Sequence, residues 1–170
     1  MDLSGLNKAQ KEAVLNTDAE GRLILADALI YASSKKPAAI VDAATLTGAM
    51  LVGLGNIHTG IFSKDNKLVS KMEKAADRSG EKVWHMPLTE EHLSDMKGRH
   101  ADLQNIGKSR GAGSCTAAAF LQEFVGNDVP YIHCDIAGTG WSCSDRASYQ
   151  PARSATGAMI RTFVELSKDF

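Results

Sequence analysis

Residues 38–44, Ala38-Ala39-Ile40-Val41-Asp42-Ala43-Ala44, run into Thr45-Leu46-Thr47-Gly48, and this stretch decides the fold. A short apolar run with β-branched Ile40 and Val41 at its centre predicts a buried strand, and the threonines and glycine after it predict a loop at its end. Upstream, residues 20–34 carry Leu23, Ile24, Ala28, Ile30 and Tyr31 at helical spacing. Ser33-Ser34-Lys35-Lys36-Pro37 closes that helix, because proline disfavours helical backbone in the residue before it. Downstream, residues 64–79 read as an amphipathic helix through Leu68, Met72 and Ala75, stopped by Gly80. Residues 114–125 give a small apolar helix, 131–137 a second buried strand, and 154–167 a last helix. Strands alternating with helices predict an α/β fold, a mixed sheet flanked by helices. The chain shows no internal repeat, low-complexity tract or linker, so one domain is the economical reading.

Composition agrees. The 170 residues carry 19 Lys+Arg against 20 Asp+Glu, with 44% apolar and 23% charged residues. That balance excludes bulk disorder and offers no basic excess for nucleic acid. The longest uncharged stretch, residues 43–63, contains Gly48, Gly53, Gly55 and Gly60 together with Asn56 and His58. A spanning helix needs about 20 predominantly apolar residues, so this stretch reads as buried strand and loop, and no membrane partner is expected. Cys115, Cys134 and Cys143 include no C-x-x-C pair, and no secretory signal precedes them. Reduced thiols in a cytoplasmic protein are expected.

The segment Asn16-Thr17-Asp18-Ala19-Glu20-Gly21-Arg22-Leu23 admits two readings. Thr17 with Glu20 three residues later forms a capping box, and Asp18 in the first turn favours the helix dipole. Alternatively, on an extended backbone the Asp18 and Glu20 carboxylates point to one side. Such a pair suits divalent cations, and a bridging carboxylate can hold two of them roughly 3.5–4 Å apart. Arg22 would follow on the same side, where its permanent charge could hold an anion or stabilise an oxyanion. Gly21 lets the backbone approach what is bound.

The octapeptide resembles the signature of the leucine aminopeptidase family, the cytosolic dinuclear metallo-aminopeptidases. The resemblance continues in Asp42-Ala43-Ala44-Thr45-Leu46-Thr47-Gly48-Ala49, Trp84-His85-Met86-Pro87-Leu88 and Ala101-Asp102-Leu103-Gln104-Asn105-Ile106-Gly107. It extends through Gly113-Ser114-Cys115-Thr116-Ala117-Ala118-Ala119-Phe120-Leu121 and His133-Cys134-Asp135-Ile136-Ala137-Gly138, in family order. It implies that Asp18 and Glu20 are metal ligands, Glu20 bridging, for two divalent ions, zinc or manganese. Arg22 would hold a bicarbonate ion acting as general base, and the backbones of Leu46 and Gly48 would help seat it. Asn16, Thr45 and Ala137 would lie near the substrate side chain. The implied reaction is removal of N-terminal residues, preferably bulky and apolar ones such as leucine, from peptides. The implied assembly is a homo-oligomer, a hexamer in the intact family.

The family completes its metal site with a lysine and two aspartates upstream of the octapeptide, and a second upstream lysine polarises the substrate. Here 15 residues precede Asn16, and none resembles those segments. Residues 14–170 are therefore expected to be the C-terminal part of a truncated leucine-aminopeptidase-type catalytic domain. It would carry a weak or partial metal site and little activity of its own. The alternative is a catalytically inactive oligomerisation or interaction module derived from the family. Residues 1–13 read as a non-family segment. Gly5-Leu6-Asn7-x-x-Gln10-x-x-Ala13-Val14 is similar to the opening motif of UvrD-like helicases. Gly107-Lys108-Ser109 is not a phosphate loop, because Asp102 stands where the first glycine is needed.

The remaining features have plainer explanations. The five histidines form no H-E-x-x-H, so structural or surface roles are expected for each. Gly111-Ala112-Gly113 before a helix could hold an anion, but chain reversal and close packing explain it better. Asp42 and Asp135 on apolar strands are expected to anchor loops or meet other subunits.

Overall fold

The structure is a computed structural model describing residues 8–109, 111–141 and 154–170, with side chains from residue 21 onward. Its elements are α1 (Lys8–Ser34), β1 (Ile40–Ala44), α2 (Gly48–Leu54), β2 (Thr59–Phe62), α3 (Asn66–Ser79) and β3 (Val83–His85). They continue with α4 (Glu90–Asp95), α5 (Gly113–Gln122), β4 (Tyr131–Asp135) and α6 (Ile160–Ser167). The four strands form one sheet in the order β1-β4-β2-β3. β1 runs parallel to β4 from Ile40↔Tyr131 to Ala44↔Asp135, β2 is antiparallel to β4, and β3 is parallel to β2. This is the mixed sheet flanked by helices that the sequence pattern implies.

Alternation along β4 builds both faces of the sheet. Tyr131 packs with Ile40 against Ala26 and Leu29 of α1 and Ala117, Phe120 and Leu121 of α5. Ile132 and Cys134 face the other way, with Ile61, onto Leu68, Val69, Met72 and Ala75 of α3 and Leu166 of α6. A third cluster joins Met50, Phe62, Cys115 and Ala118, seating α2 and α5 over β2.

Local chemistry sets the helix ends. The Asp65 carboxylate accepts from the Lys67 and Leu68 amides at 2.8 and 3.0 Å, opening α3 as an N-cap. Gly80, at φ +75°, closes it in the left-handed conformation. The last helix begins at Ile160 rather than at residue 154, because Gly157 and Met159 both adopt positive φ and interrupt it. Glu81 then anchors its start, accepting from the Met159 and Thr162 amides at 2.8 and 3.0 Å and from the Thr162 hydroxyl at 2.7 Å.

Two further differences from the sequence reading matter for function. The helix expected from residue 20 runs back to Lys8, so Thr17 lies inside helical backbone and is not its N-cap. The uncharged stretch expected as strand and loop contains α2, seven residues long, capped by Thr47, whose side chain accepts from the Met50 amide at 3.3 Å.

Candidate functional site

β1 and β4 are parallel neighbours, so their carboxyl ends open onto the same edge, where ligands of open α/β sheets commonly bind. Two segments meet there, residues 45–48 after β1 and residues 136–140 after β4. The Ile136 amide donates to the Ala44 carbonyl at 2.9 Å, extending the ladder by one bond. Beyond it the segments interlock. A Cβ on Gly140 would stand 3.4 Å from Cγ2 of Thr45, and one on Gly138 would stand 1.9 Å from the Gly55 carbonyl oxygen. Only glycine fits at position 138. Thr45, Leu46, Gly48 and Ala137 are thus brought together, with Leu46 buried and Thr45 and Gly48 exposed.

Beneath these segments lies a buried polar chain. The Thr47 hydroxyl donates to Oδ2 of Asp135 at 2.6 Å and shares a 2.6 Å hydrogen bond with the Ser114 hydroxyl. Oδ1 of Asp135 accepts from the Ala137 amide at 3.1 Å. Burial pushes the Asp135 carboxyl above the usual carboxylate range, partly offset by the Thr47 hydroxyl, His133 and the Ala137 amide. Stability follows with a definite sign. A raised carboxyl binds more protons folded than unfolded, so its contribution is complete below the ordinary carboxylate pKa and is lost as pH rises through the folded value. Urea denaturation of wild type and Asp135→Asn across the acidic range should show a loss with rising pH that is present in the first and missing from the second. Parallel curves would contradict the assignment.

Arg22 approaches from α1. It is buried, one turn before Ala26, and Ala26 shares a core cluster with Leu46. Its Nη1 donates to the Asn105 carbonyl in the loop between α4 and α5. Asp95 pins that loop. Its carboxylate accepts from the Ser109 amide and hydroxyl at 3.2 and 3.1 Å, and its carbonyl accepts from the Gln104 side chain at 3.3 Å. A Cβ on Gly107 would come within 2.5 Å of Oδ2 of Asp95. The side chains of Asn16, Asp18 and Glu20 lie outside the described residues; their backbone is helical, not the extended form that would turn the Asp18 and Glu20 carboxylates to one side, because residues two apart on a helix do not face each other. Among the described residues, no three His, Cys, Asp or Glu side chains are grouped as a metal site.

Sequence reasoning left Asn105, Thr47 and Ser114 unassigned. Asp135 does anchor loops, as an aspartate on an apolar strand suggested. Asp42 instead accepts from Nδ1 of His133 and the Tyr131 hydroxyl, both at 2.7 Å. Ala112 reverses the chain at φ +53°, and Gly113 packs so tightly on Ala49 that a Cβ would sit 3.2 Å from its methyl. Cys115 and Cys134 are buried free thiols pushed up by burial. Among the described residues, no helix is long and apolar enough to cross a membrane.

Comparison with known proteins bears on this site. The cytosol aminopeptidase family, catalytic domain, matches residues 2–164. A probable cytosol aminopeptidase of Bdellovibrio bacteriovorus is 62% identical over 157 residues, covering 92% of this chain and 31% of the relative. One from Cenarchaeum symbiosum is 45% identical over 163 residues, covering 94% of this chain and 33% of the relative. The structure of a tomato leucine aminopeptidase mutant superposes with a TM-score of 0.82 at 43% identity, over 91% of this chain and 29% of that one. The chain spans about a third of the length of the curated relatives it matches.

Proposed function

The chain belongs to the cytosol aminopeptidase family, and from that premise we propose that it carries the arginine side of a metal-assisted site for removing N-terminal residues from peptides, in the cytoplasm. One observation carries the reading. Thr45, Leu46, Gly48 and Ala137 come together at the carboxyl ends of β1 and β4, and Arg22 is buried one turn from a residue packed with Leu46. Arg22 holds an anion, bicarbonate, as general base, and the backbones of Leu46 and Gly48 help seat it. Thr45 and Ala137, with Asn16, border a substrate side chain that is bulky and apolar, such as leucine.

Asp18 and Glu20 are the candidate ligands for two divalent ions, zinc or manganese, with Glu20 bridging. Such ions supply Lewis-acid polarisation of the peptide carbonyl. Hard carboxylate oxygens suit them, but two carboxylates are too few donors to hold two ions tightly. The 170-residue chain alone is therefore expected to bind Mn²⁺ weakly in calorimetry, to lose that binding in Glu20→Gln, and to turn over a leucine anilide little or not at all. Robust turnover abolished by Glu20→Gln would show that the chain holds a complete site.

A second reading, an interaction module without catalysis, draws on the surface of α1. Leu23, Ile24, Ile30 and Tyr31 are exposed there, and β1 lies at the sheet edge beside them. Such an edge invites pairing with a like chain. Native mass spectrometry separates the readings: an oligomer that forms without Mn²⁺ favours the module.

A further inference from the structure

We propose that Asp135 is a positioning residue for the anion- and substrate-facing segments 45–48 and 136–140, acting through Thr47 and Ser114. The inference rests on the roles proposed above for Leu46, Gly48 and Ala137, and it adds what holds them in place.

Directionality comes first. An ionised carboxylate only accepts, so the Thr47 hydroxyl spends its single proton on Oδ2 of Asp135. Its lone pairs are then left for the Ser114 hydroxyl and the Met50 amide, which fixes the chain as Ser114 to Thr47 to Asp135. The other carboxylate oxygen takes the Ala137 amide. One carboxylate therefore ties the segment after β1 to the segment after β4, and through Ser114 to the first turn of α5. All three side chains are buried, Asp135 with 1% of its surface exposed, so water does not compete for these bonds.

These contacts are separate from the strand pairing. β1 and β4 already share a five-residue ladder, and the Asp135 bonds fall beyond its end. They fix backbone that the ladder leaves free, the peptide planes on either side of Thr47 and the one entering Ala137. The Leu46 and Gly48 backbones can seat an anion only if those planes keep their direction.

The test is a bicarbonate titration of the ¹⁵N-labelled chain, following the amide signals of Leu46, Gly48 and Ala137. Wild type should give a saturable shift at Leu46 and Gly48. Thr47→Val, which keeps the shape and removes the hydroxyl, should weaken the response about tenfold, and Thr47→Ser should recover most of it. Loss of packing alone would affect Thr47→Ser more than Thr47→Val, the reverse order. Ser114→Ala, which removes only the outer member, should weaken binding about threefold and serves if Thr47→Val does not fold. Bicarbonate binding by Thr47→Val or Ser114→Ala equal to that of wild type would overturn the positioning role and leave the anion seat standing. No response in wild type would overturn the seat and the positioning role together.

Discussion

Replacing Phe62 with alanine should cost about 3–5 kcal/mol of stability, the usual range for emptying a fully buried aromatic site. Phe62 ends β2 with none of its surface exposed, packed among Met50, Cys115 and Ala118. Its ring also stacks on His133, with centroids 5.8 Å apart and planes inclined at 29°. The surroundings cannot close over the void easily. On one side stands the central strand β4, and on the other α2, whose Met50 is itself fully buried. Phe62→Leu should cost much less, about 1–1.5 kcal/mol, because it leaves a smaller hole. Urea unfolding at unchanged m-value reads the difference directly. A loss below about 1 kcal/mol for Phe62→Ala would mean that this cluster is not the rigid core described here.

Asp42→Ala should be nearly as damaging, by about 2–5 kcal/mol, through a different mechanism. The carboxylate accepts from the Tyr131 hydroxyl and from Nδ1 of His133, and neither donor can turn to solvent. Burial, and then the neighbouring Asp42 charge, hold the Tyr131 hydroxyl well above its ordinary range, so it stays a protonated donor. Removing the acceptor strands both donors at once. Asp42→Asn retains one acceptor oxygen and should recover a good part of the loss. A double-mutant cycle with Tyr131→Phe isolates the pair. The two substitutions should be strongly non-additive, since the second removes one of the donors that the first strands. Additive losses would show that the bond contributes nothing net.

Much of this architecture is legible in the sequence, and the reason is periodicity. α3, α5, β1 and β4 all carry enough apolar residues at one spacing to declare their type, and Gly80 marks the end of α3, whose start at Asn66 after the Asp65 cap falls two residues later than the apolar spacing suggests. α2 and α4, of seven and six residues, are too short to show a helical period, and β2 and β3, of four and three, are too short to show a strand run like those of β1 and β4. In α2 the glycines at 48 and 53, with Gly55 just beyond, read as loop chemistry, whereas the packing of Met50 makes the segment helical. α1 begins earlier than the capping signals suggest. Residues 8–16 contain neither glycine nor proline, so nothing in their propensities opposes helix.

The candidate site divides the same way. Arg22, Leu46, Gly48 and Ala137 are found through short motifs, which a sequence displays directly. The Asn105 carbonyl beneath Arg22 lies 83 positions away, and the Thr47–Asp135 bond spans 88. Such contacts are products of the fold, and no local pattern encodes them. An aspartate on an otherwise apolar strand was their one visible trace.

The strand order has a consequence for how the chain assembles during synthesis. β4 lies between β1 and β2, yet among the described residues it is the last strand in the chain, and Asp42 meets His133 across 91 positions. At about 5–20 residues per second, β1 waits on the order of 5–18 s for its partner. During that interval the neighbouring β2, α3 and β3 can form a local unit, while Ile40 and Val41 still lack their β4 partners. Completing this sheet therefore requires a strand to be inserted between two that precede it in the chain, a non-local pairing of the kind that slows folding.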